Sequence, residues 1–314
     1  MITVAGEALI DLVIDPSGSV TAVPGGAPFN VARMVARLGG DCQYVGKLSD
    51  DGFGEQLRVE LEQAGVRVAV PYRTAAPTTL AIARLDALGA AEYKFYLEGT
   101  SAAELTTADV AAEILDGSNA LALGGLALLI EPTASSLAAL IQQRPPGATI
   151  LLDPNCRPAA VTDLPAYRDM VDTVIRQVDV IKVSTDDLRL LCPAESPLRA
   201  ARGLLELGPA AVLVTDGPSP ATVLSESGER SIPVPVVEVV DTIGAGDAFV
   251  AGFLTWWTAH ALNEHDAGDL DALLNAATAA VEVAAADCTV RGANLPVDFR
   301  WSTTPAVERK LAHG

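Results

Sequence analysis

Asp247 stands directly behind the turn Gly244-Ala245-Gly246, where a carboxylate has a definite chemistry open to it. The run Asp241-Thr-Ile-Gly-Ala-Gly-Asp247 leads out of an apolar stretch, Val236 to Val240, that reads as a strand. It leads into Ala248 to Ala261, a long proline-free apolar run that reads as a buried helix. Glycine turns the backbone sharply and brings its N–H groups close to a ligand. A helix N-terminus there adds unpaired donors and partial positive charge. Together they make an anion site suited to phosphate. An ionised Asp247 beside such a cradle can accept the proton of an attacking hydroxyl. The bland alternative is a turn with an N-capping aspartate.

Other residues with useful chemistry fall at the ends of predicted elements. Ile2 to Ile14 is strand-like, interrupted at Gly6, and carries Asp11, a carboxylate able to accept two hydroxyls at once or simply a solvated strand-end charge. Pro24-Gly25-Gly26 is a turn before a helix from about Phe29, whose Val31, Met34, Val35 and Leu38 form one apolar face. Asn30 lies in its first turn. Gln43 to Lys47 reads as a strand and Asp51 to Ala64 as a helix. Thr79 to Asp86 and Ala91 to Leu97 read as a hairpin about Ala87-Leu-Gly-Ala90. From Asp109 the chain alternates short apolar runs (Asn119–Leu123, Ala148–Leu152, Val178–Val183, Ala211–Val214) with helical stretches. That is the pattern of a parallel sheet covered on both faces. Ligands bind at the carboxyl ends of such strands. Four polar groups fall there: Glu131, Asp153-Pro-Asn155-Cys-Arg157, Lys182-Val-Ser184-Thr-Asp-Asp187 and Thr215-Asp216-Gly217. Four in succession point to a shared cleft. A helix from Leu273 to Ala286, rich in alanine, would let a flat ring approach.

The stretch Asp241 to Phe253 resembles the second signature of the ribokinase/PfkB family of carbohydrate kinases. Pro24-Gly-Gly-Ala-Pro-Phe-Asn-Val-Ala-Arg-Met-Val-Ala-Arg-Leu-Gly-Gly40 is similar to its first. The resemblance runs from about Val4 to about Pro296. It implies an α/β fold, ribokinase-like, with a mostly parallel central sheet, helices on both faces and a small β-sheet lid. The lid would come from about 12–24 and 67–100 of a single domain spanning 1–314. It implies a kinase using ATP and Mg²⁺, with K⁺ in many relatives. Asp247 would be the base and Gly244, Ala245 and Gly246 the anion hole. Asp11, Gly25, Gly26 and Asn30 would hold the sugar, with Tyr96 counted beside them. Thr79, Tyr96 and Glu98-Gly-Thr100 resemble the fructokinase branch. Asn155 or Arg157 would lie near the transferred phosphate, and Arg157 is placed among the substrate-binding residues.

The resemblance further sets Ser184, Thr215, Gly217 and Asn275 at the nucleotide, Asp187 at the metal, and Asp241, Ile243 and Gly292 at a monovalent cation. The chain departs from the pattern in places. Ala27 replaces the lysine of ribokinase-like sequences, Ser184 and Asp187 replace Asn-x-x-Glu, and Pro220 replaces the last glycine of Thr-x-Gly-x-x-Gly. Fructose or a related ketohexose is the expected acceptor. The alternative is 2-keto-3-deoxygluconate, whose carboxylate would need Lys94 or Arg84. A non-catalytic sugar- or nucleotide-binding relative is the rival from another class.

The 314 residues carry a formal net charge of −19, which disfavours nucleic acid and anionic membrane as partners. Local positive potential must then come from helix ends, a few basic side chains and metal. Four scattered cysteines without CxxC and three histidines make a disulfide framework or zinc site improbable, and the cytoplasm is the expected compartment. The apolar runs are too short or too interrupted for a transmembrane helix. Gly46-Lys47 fails the P-loop spacing, and no early G-x-G-x-x-G supports a dinucleotide-binding oxidoreductase. A homodimer through the lid is expected by resemblance alone.

Overall fold

The computed structural model describes residues 1–71, 73–86 and 91–300. The chain opens with β1 (Ile2–Ala5), β2 (Leu9–Ile14), β3 (Val20–Gly25), α1 (Ala27–Arg37), β4 (Cys42–Val45), α2 (Gly52–Gln63) and β5 (Arg67–Val68). There follow β6 (Leu80–Leu85), β7 (Ala91–Tyr96), β8 (Ala120–Gly124), α3 (Thr133–Gln142), β9 (Thr149–Asp153) and α4 (Leu164–Ile175). The second half holds β10 (Val180–Ser184), α5 (Thr185–Leu191), α6 (Pro197–Glu206), β11 (Ala211–Asp216), β12 (Ser219–Ser225), β13 (Gly228–Ile232), α7 (Ala245–Ala259) and α8 (Leu270–Asp287).

Nine strands form one sheet in the order β13-β12-β11-β10-β9-β8-β1-β4-β5. It is parallel from β11 to β5, with β12 and β13 added antiparallel at one edge. The inner strands are apolar on both faces because helices cover both. One face packs on α1, α2, α7 and α8, the other on α3 to α6. Their carboxyl ends, at Asp153, Ser184 and Asp216, share one edge.

The helix pair α7 and α8 is the centre of the first layer. Gly252 permits it: a Cβ there would stand 3.0 Å from Ala280 Cα. Phe253 and Trp257, both fully buried, stack with centroids 5.4 Å apart, and Trp257 Nε1 donates to Thr149 Oγ1 at 2.9 Å. Replacing Trp257 by alanine would cost about 3–5 kcal/mol by leaving a cavity in this layer. Asp269 caps α8 by accepting from the amides of Asp271 and Ala272, and Asp51 caps α2 through Gly54 N.

A second sheet of four strands, β3-β2-β6-β7, stands apart from the first. It is built from residues 9–25 and 80–96. Arg67–Val68, expected with the lid, instead pairs with β4 at the edge of the large sheet. The strands of the expected hairpin pair antiparallel from Leu80↔Tyr96 to Leu85↔Ala91, while its turn at 87–90 lies outside the described residues.

The run Val236 to Val240 is not a strand. Pro233 and Pro235 remove backbone donors just past β13 and end the ladder there. It crosses the surface extended, with Val236 and Val239 exposed. The sheet gains β12 and β13 instead. Pro220 sits in β12 beside the register shift at Val214/Asp216, where a missing donor is tolerated. No helix among the described residues is long and apolar enough to cross a membrane.

Candidate active site

The first turn of α7 faces the carboxyl edge of the large sheet. Gly244 caps it at φ 92°, and a Cβ there would meet Ala293 Cβ at 2.5 Å. Left-handed backbone and close packing both demand glycine. The helix leaves the first amides, including those of Gly246 and Asp247, without carbonyl partners of its own. Asp247 follows on the buried side, 6% exposed. Its Oδ2 accepts from Asn30 Nδ2 at 2.8 Å, and its Oδ1 from Asn155 Nδ2 at 3.4 Å.

Burial pushes Asp247 up to about 7, against the Asn30 hydrogen bond and the positive charges of Arg157 and Lys182. The nearby Asp153 carboxylate adds to the rise. A base that ionises near neutrality, beside free helix amides, can take a proton from a hydroxyl as a phosphoryl group arrives.

Beside it lies a cavity of about 1050 Å³. Its lining combines polar residues, among them Asn155, Arg157, Lys182, Ser184, Thr215 and Gly217, with apolar ones, among them Val234, Val237, Val239, Val281, Ala284 and Ala285. Apolar walls with a few polar groups suit a ligand that joins a flat ring to phosphates.

Asp11 lies across the cleft on β2. Gly25, on the neighbouring β3, must be bare, since a Cβ there would fall 2.2 Å from Asp11 Oδ2. Gly26, at φ 104°, lies under Glu7 O, which a Cβ would meet at 2.7 Å. Burial pushes Asp11 up to about 6, opposed by Arg157. Burial likewise pushes Glu7 up to about 7, although Ala127 N donates to it at 3.1 Å.

Several expected residues stand elsewhere or do other work. Register places Asp11, Ala81, Phe95, Ala83 and Tyr93 on one face of the four-stranded sheet. Tyr96, Lys94 and Arg84 lie on the opposite face, away from Asp11, because strand neighbours alternate. Burial and the charges of Asp11 and Asp241 raise the Tyr93 hydroxyl, opposed by Arg157. Tyr93 and Phe95 stack with centroids 6.0 Å apart.

Asn275 does not line the cavity. The part of α8 that does so is Val281 to Cys288, further along the helix. Glu131 is exposed and accepts from Ser135 N, outside the cavity. Ser184 and Asp187 cap α5 reciprocally, and Asp187 Oδ1 also accepts from Cys156 N at 2.8 Å. Both oxygens of Asp187 are therefore engaged, and no group of three or more His, Cys, Asp or Glu among the described residues could form a metal cage. Such a donor set fits Mg²⁺ held by nucleotide phosphates and water, with one carboxylate nearby.

Asp241 Oδ1 accepts from Thr242 N and Ile243 N, and its Oδ2 from Gly292 N at 3.0 Å. It thus ties the segment before α7 to the loop after α8. Two buried groups carried no separate signal in the sequence. Lys182 and Asp153 each look like an interruption at the end of an apolar strand, yet Lys182 Nζ reaches Asp153 Oδ2 at 2.9 Å.

Residues 1–300 match the model of the pfkB family carbohydrate kinases. The chain belongs to this family. It is 33% identical over 267 residues to a fructokinase of Klebsiella pneumoniae, covering 84% of this chain and 86% of that one. The fructokinase of Xylella fastidiosa with bound ATP superposes with a TM-score of 0.86 at 26% identity, covering 99% and 97% of the two chains. A double-mutant fructokinase of Vibrio cholerae O395, bound to fructose, ADP and potassium ion, gives 0.82 at 26% identity and 93% coverage of both. The fold is ribokinase-like, and the protein is a sugar kinase of the fructokinase-like type.

Proposed function

We propose that the protein transfers the γ-phosphoryl group of ATP to a hydroxyl of fructose or a closely related ketohexose. One observation carries the reading: the buried Asp247 carboxylate, held by Asn30 and Asn155 at the open end of α7, with Asp11 across the cleft. Asp11 and Asn30 are the polar pair that a polyol needs. Asp247 takes the proton from the attacking hydroxyl. The amides of Gly246 and Asp247 receive the charge that grows on the phosphoryl oxygens. Tyr93 and Phe95 close the cleft from the lid and keep water from competing for the phosphoryl group.

Mg²⁺ supplies charge neutralisation at the nucleotide phosphates when bound, and Asp187 would hold its water shell. Thr215, Gly217 and Ser184 line the phosphate end, and α8 supplies the wall for the base. A monovalent cation suits the loops joined by Asp241. Asp287 lies there fully buried, with Oδ1 accepting from Asn294 N and Oδ2 without a partner. A buried carboxylate oxygen without a partner fits K⁺, with Asp241, Ile243 and Gly292 as the expected surrounding groups.

The curated relatives it matches include fructokinases, and the acid alternative has lost its partners, since Lys94 and Arg84 stand on the other lid face. Four unpaired cysteines support a reducing, cytoplasmic setting. The outer lid face, with Val20 and Tyr96 exposed, supports a homodimer through the lid. The test of function is ADP release with ATP and Mg²⁺ across fructose, ribose, adenosine and 2-keto-3-deoxygluconate. Fructose should give the highest kcat/KM. A preference for the acid would overturn the ketohexose reading, and no sugar-dependent ADP would overturn the kinase reading.

A further inference from the structure

Among the described residues, Lys182 is the only buried lysine or arginine, 4% exposed. Its neighbours in β10, Val180, Ile181 and Val183, are apolar. A buried ammonium is costly unless paired, and an apolar residue of similar volume usually serves a fold as well or better. Stability alone therefore does not account for a charge at this position.

Its placement gives it another use. Lys182 Nζ donates to Asp153 Oδ2 at 2.9 Å. On its other side, a Cβ built on Gly246 would stand 3.0 Å from Nζ. The ammonium therefore lies against the open end of α7 and lines the large cavity. It has three donors, and Asp153 takes one. The second oxygen of Asp153 accepts from Asn155 N at 3.1 Å, holding Asn155 at φ 44°. Asn155 in turn reaches Asp247. One buried carboxylate thus orients both a positive charge at Gly246 and an amide at the base. Carboxylates also hold the ammonium charged: burial works against it, but Asp153, Asp187 and Asp247 keep its pKa above the ordinary lysine value.

We propose that Lys182 is a catalytic residue of the phosphoryl transfer, donating to an oxygen of the γ-phosphoryl group in transit, and that Asp153 is its positioning residue. The assignment rests on the sugar-kinase reading. The bond from the sugar oxygen to the γ-phosphorus forms as the bond to the bridging oxygen of ADP breaks. The hydroxyl proton goes to Asp247, and nothing is oxidised or reduced. Lys182 keeps its protons and stabilises the charge spread over the three phosphoryl oxygens in the transition state.

The test compares wild type, Lys182→Met and Lys182→Met/Asp153→Asn by kcat, fructose KM and melting temperature. Lys182→Met should lower kcat about 10²–10³-fold, the usual loss for one such donor, with fructose KM little changed. It strands a buried carboxylate and should also melt lower. Asp153→Asn removes that charge while keeping an acceptor for Asn155 N, so the double variant should regain melting temperature but not turnover. A structural role predicts that both return together. Wild-type kcat in the double variant, or in a folded Lys182→Met, would overturn the assignment. Loss of the kinase reading would show separately, as wild type failing to release ADP with any sugar.

Discussion

The two walls of the cleft are held in different ways. On the α7 wall, the carboxylate of Asp247 is buried and bonded by two side-chain amides, Gly246 has a buried ammonium against it, and Gly244 is wedged on Ala293. On the lid wall, Asp11 is only partly buried and Tyr93 is 44% exposed. That wall is four strands paired mainly with one another. A reaction step tolerates little displacement of the groups that perform it. A surface that must admit and cover a sugar has to stay accessible. The contrast puts chemistry on the fixed wall and selectivity on the accessible one, so changes to the first should fall on kcat and changes to the second on KM.

Asp247→Asn tests the fixed wall most severely. It should lower kcat about 10²–10⁴-fold, as loss of a general base does. The melting temperature at pH 8 should not fall. Burial has raised this group to about 7, so ionising it in the folded state costs stability as pH rises through that value, and the neutral amide avoids the cost. With Asp247 as the proposed ionised base, kcat/KM should decline about tenfold per pH unit below roughly 7. Normal turnover in a folded Asp247→Asn protein would remove the residue from catalysis.

Gly246→Val probes the same wall through space rather than charge. Its Cβ would press on Lys182 Nζ at 3.0 Å and crowd the phosphoryl position. A displacement of about 1 Å there corresponds to a loss of about 10² in kcat. Fructose binding, measured by calorimetry, should be nearly unchanged. An equal weakening of sugar affinity would mean that the two walls are not separable.

The fixed wall was also the legible one. Asp241 to Phe253 is a continuous run whose glycines and carboxylate act through local geometry, so their types and spacing carry the function. Parallel strands and the polar residues at their carboxyl ends were legible for the same reason, as apolar runs closed by polar residues. Lid contacts were not. Tyr93, Phe95 and Tyr96 lie within four residues, and only the pairing of β7 with β6 and β2 tells which parity faces Asp11. Asn275 was placed by resemblance, and the cavity meets the chain further on, at Val281 to Cys288, because a matched residue type does not fix how far along a helix a ligand sits. Val236 to Val240 had strand composition, but prolines just upstream end the ladder before it. Lys182 was visible as a residue, but its meaning depends on a glycine 64 positions later meeting it in space.

Lid substitutions should act on the acceptor. Asp11→Ala removes a carboxylate that can accept two hydroxyls. It should lower fructose kcat/KM by about 10–100-fold, the range for hydrogen bonds to a charged group. Tyr93→Ala should raise fructose KM by a smaller factor and leave kcat almost alone. Tyr96→Ala, on the opposite face, should change neither. A large effect at Tyr96 with none at Tyr93 would overturn the assignment of faces.

The smallest expected effect concerns the loops that brace the fixed wall from outside. Asp241 pins Thr242, Ile243 and Gly292, and Gly244 sits against Ala293. Beneath them Asp287 has one oxygen on Asn294 N and one without a partner, and burial pushes the group up to about 8. A monovalent cation there would offset two carboxylates and fix the entry to α7 without touching substrate. Replacing tetramethylammonium by K⁺ at constant ionic strength should therefore raise kcat about three- to tenfold, roughly 0.7–1.4 kcal/mol. Fructose KM should hold steady, because the lid is not involved. The melting temperature should rise with K⁺ as it does for any ligand that binds only the folded state. Asp287→Asn should weaken both responses. If K⁺ instead moved KM alone and left the melting temperature unchanged, the cation would not be bracing α7, and the division of labour between the walls would fail at its outer edge.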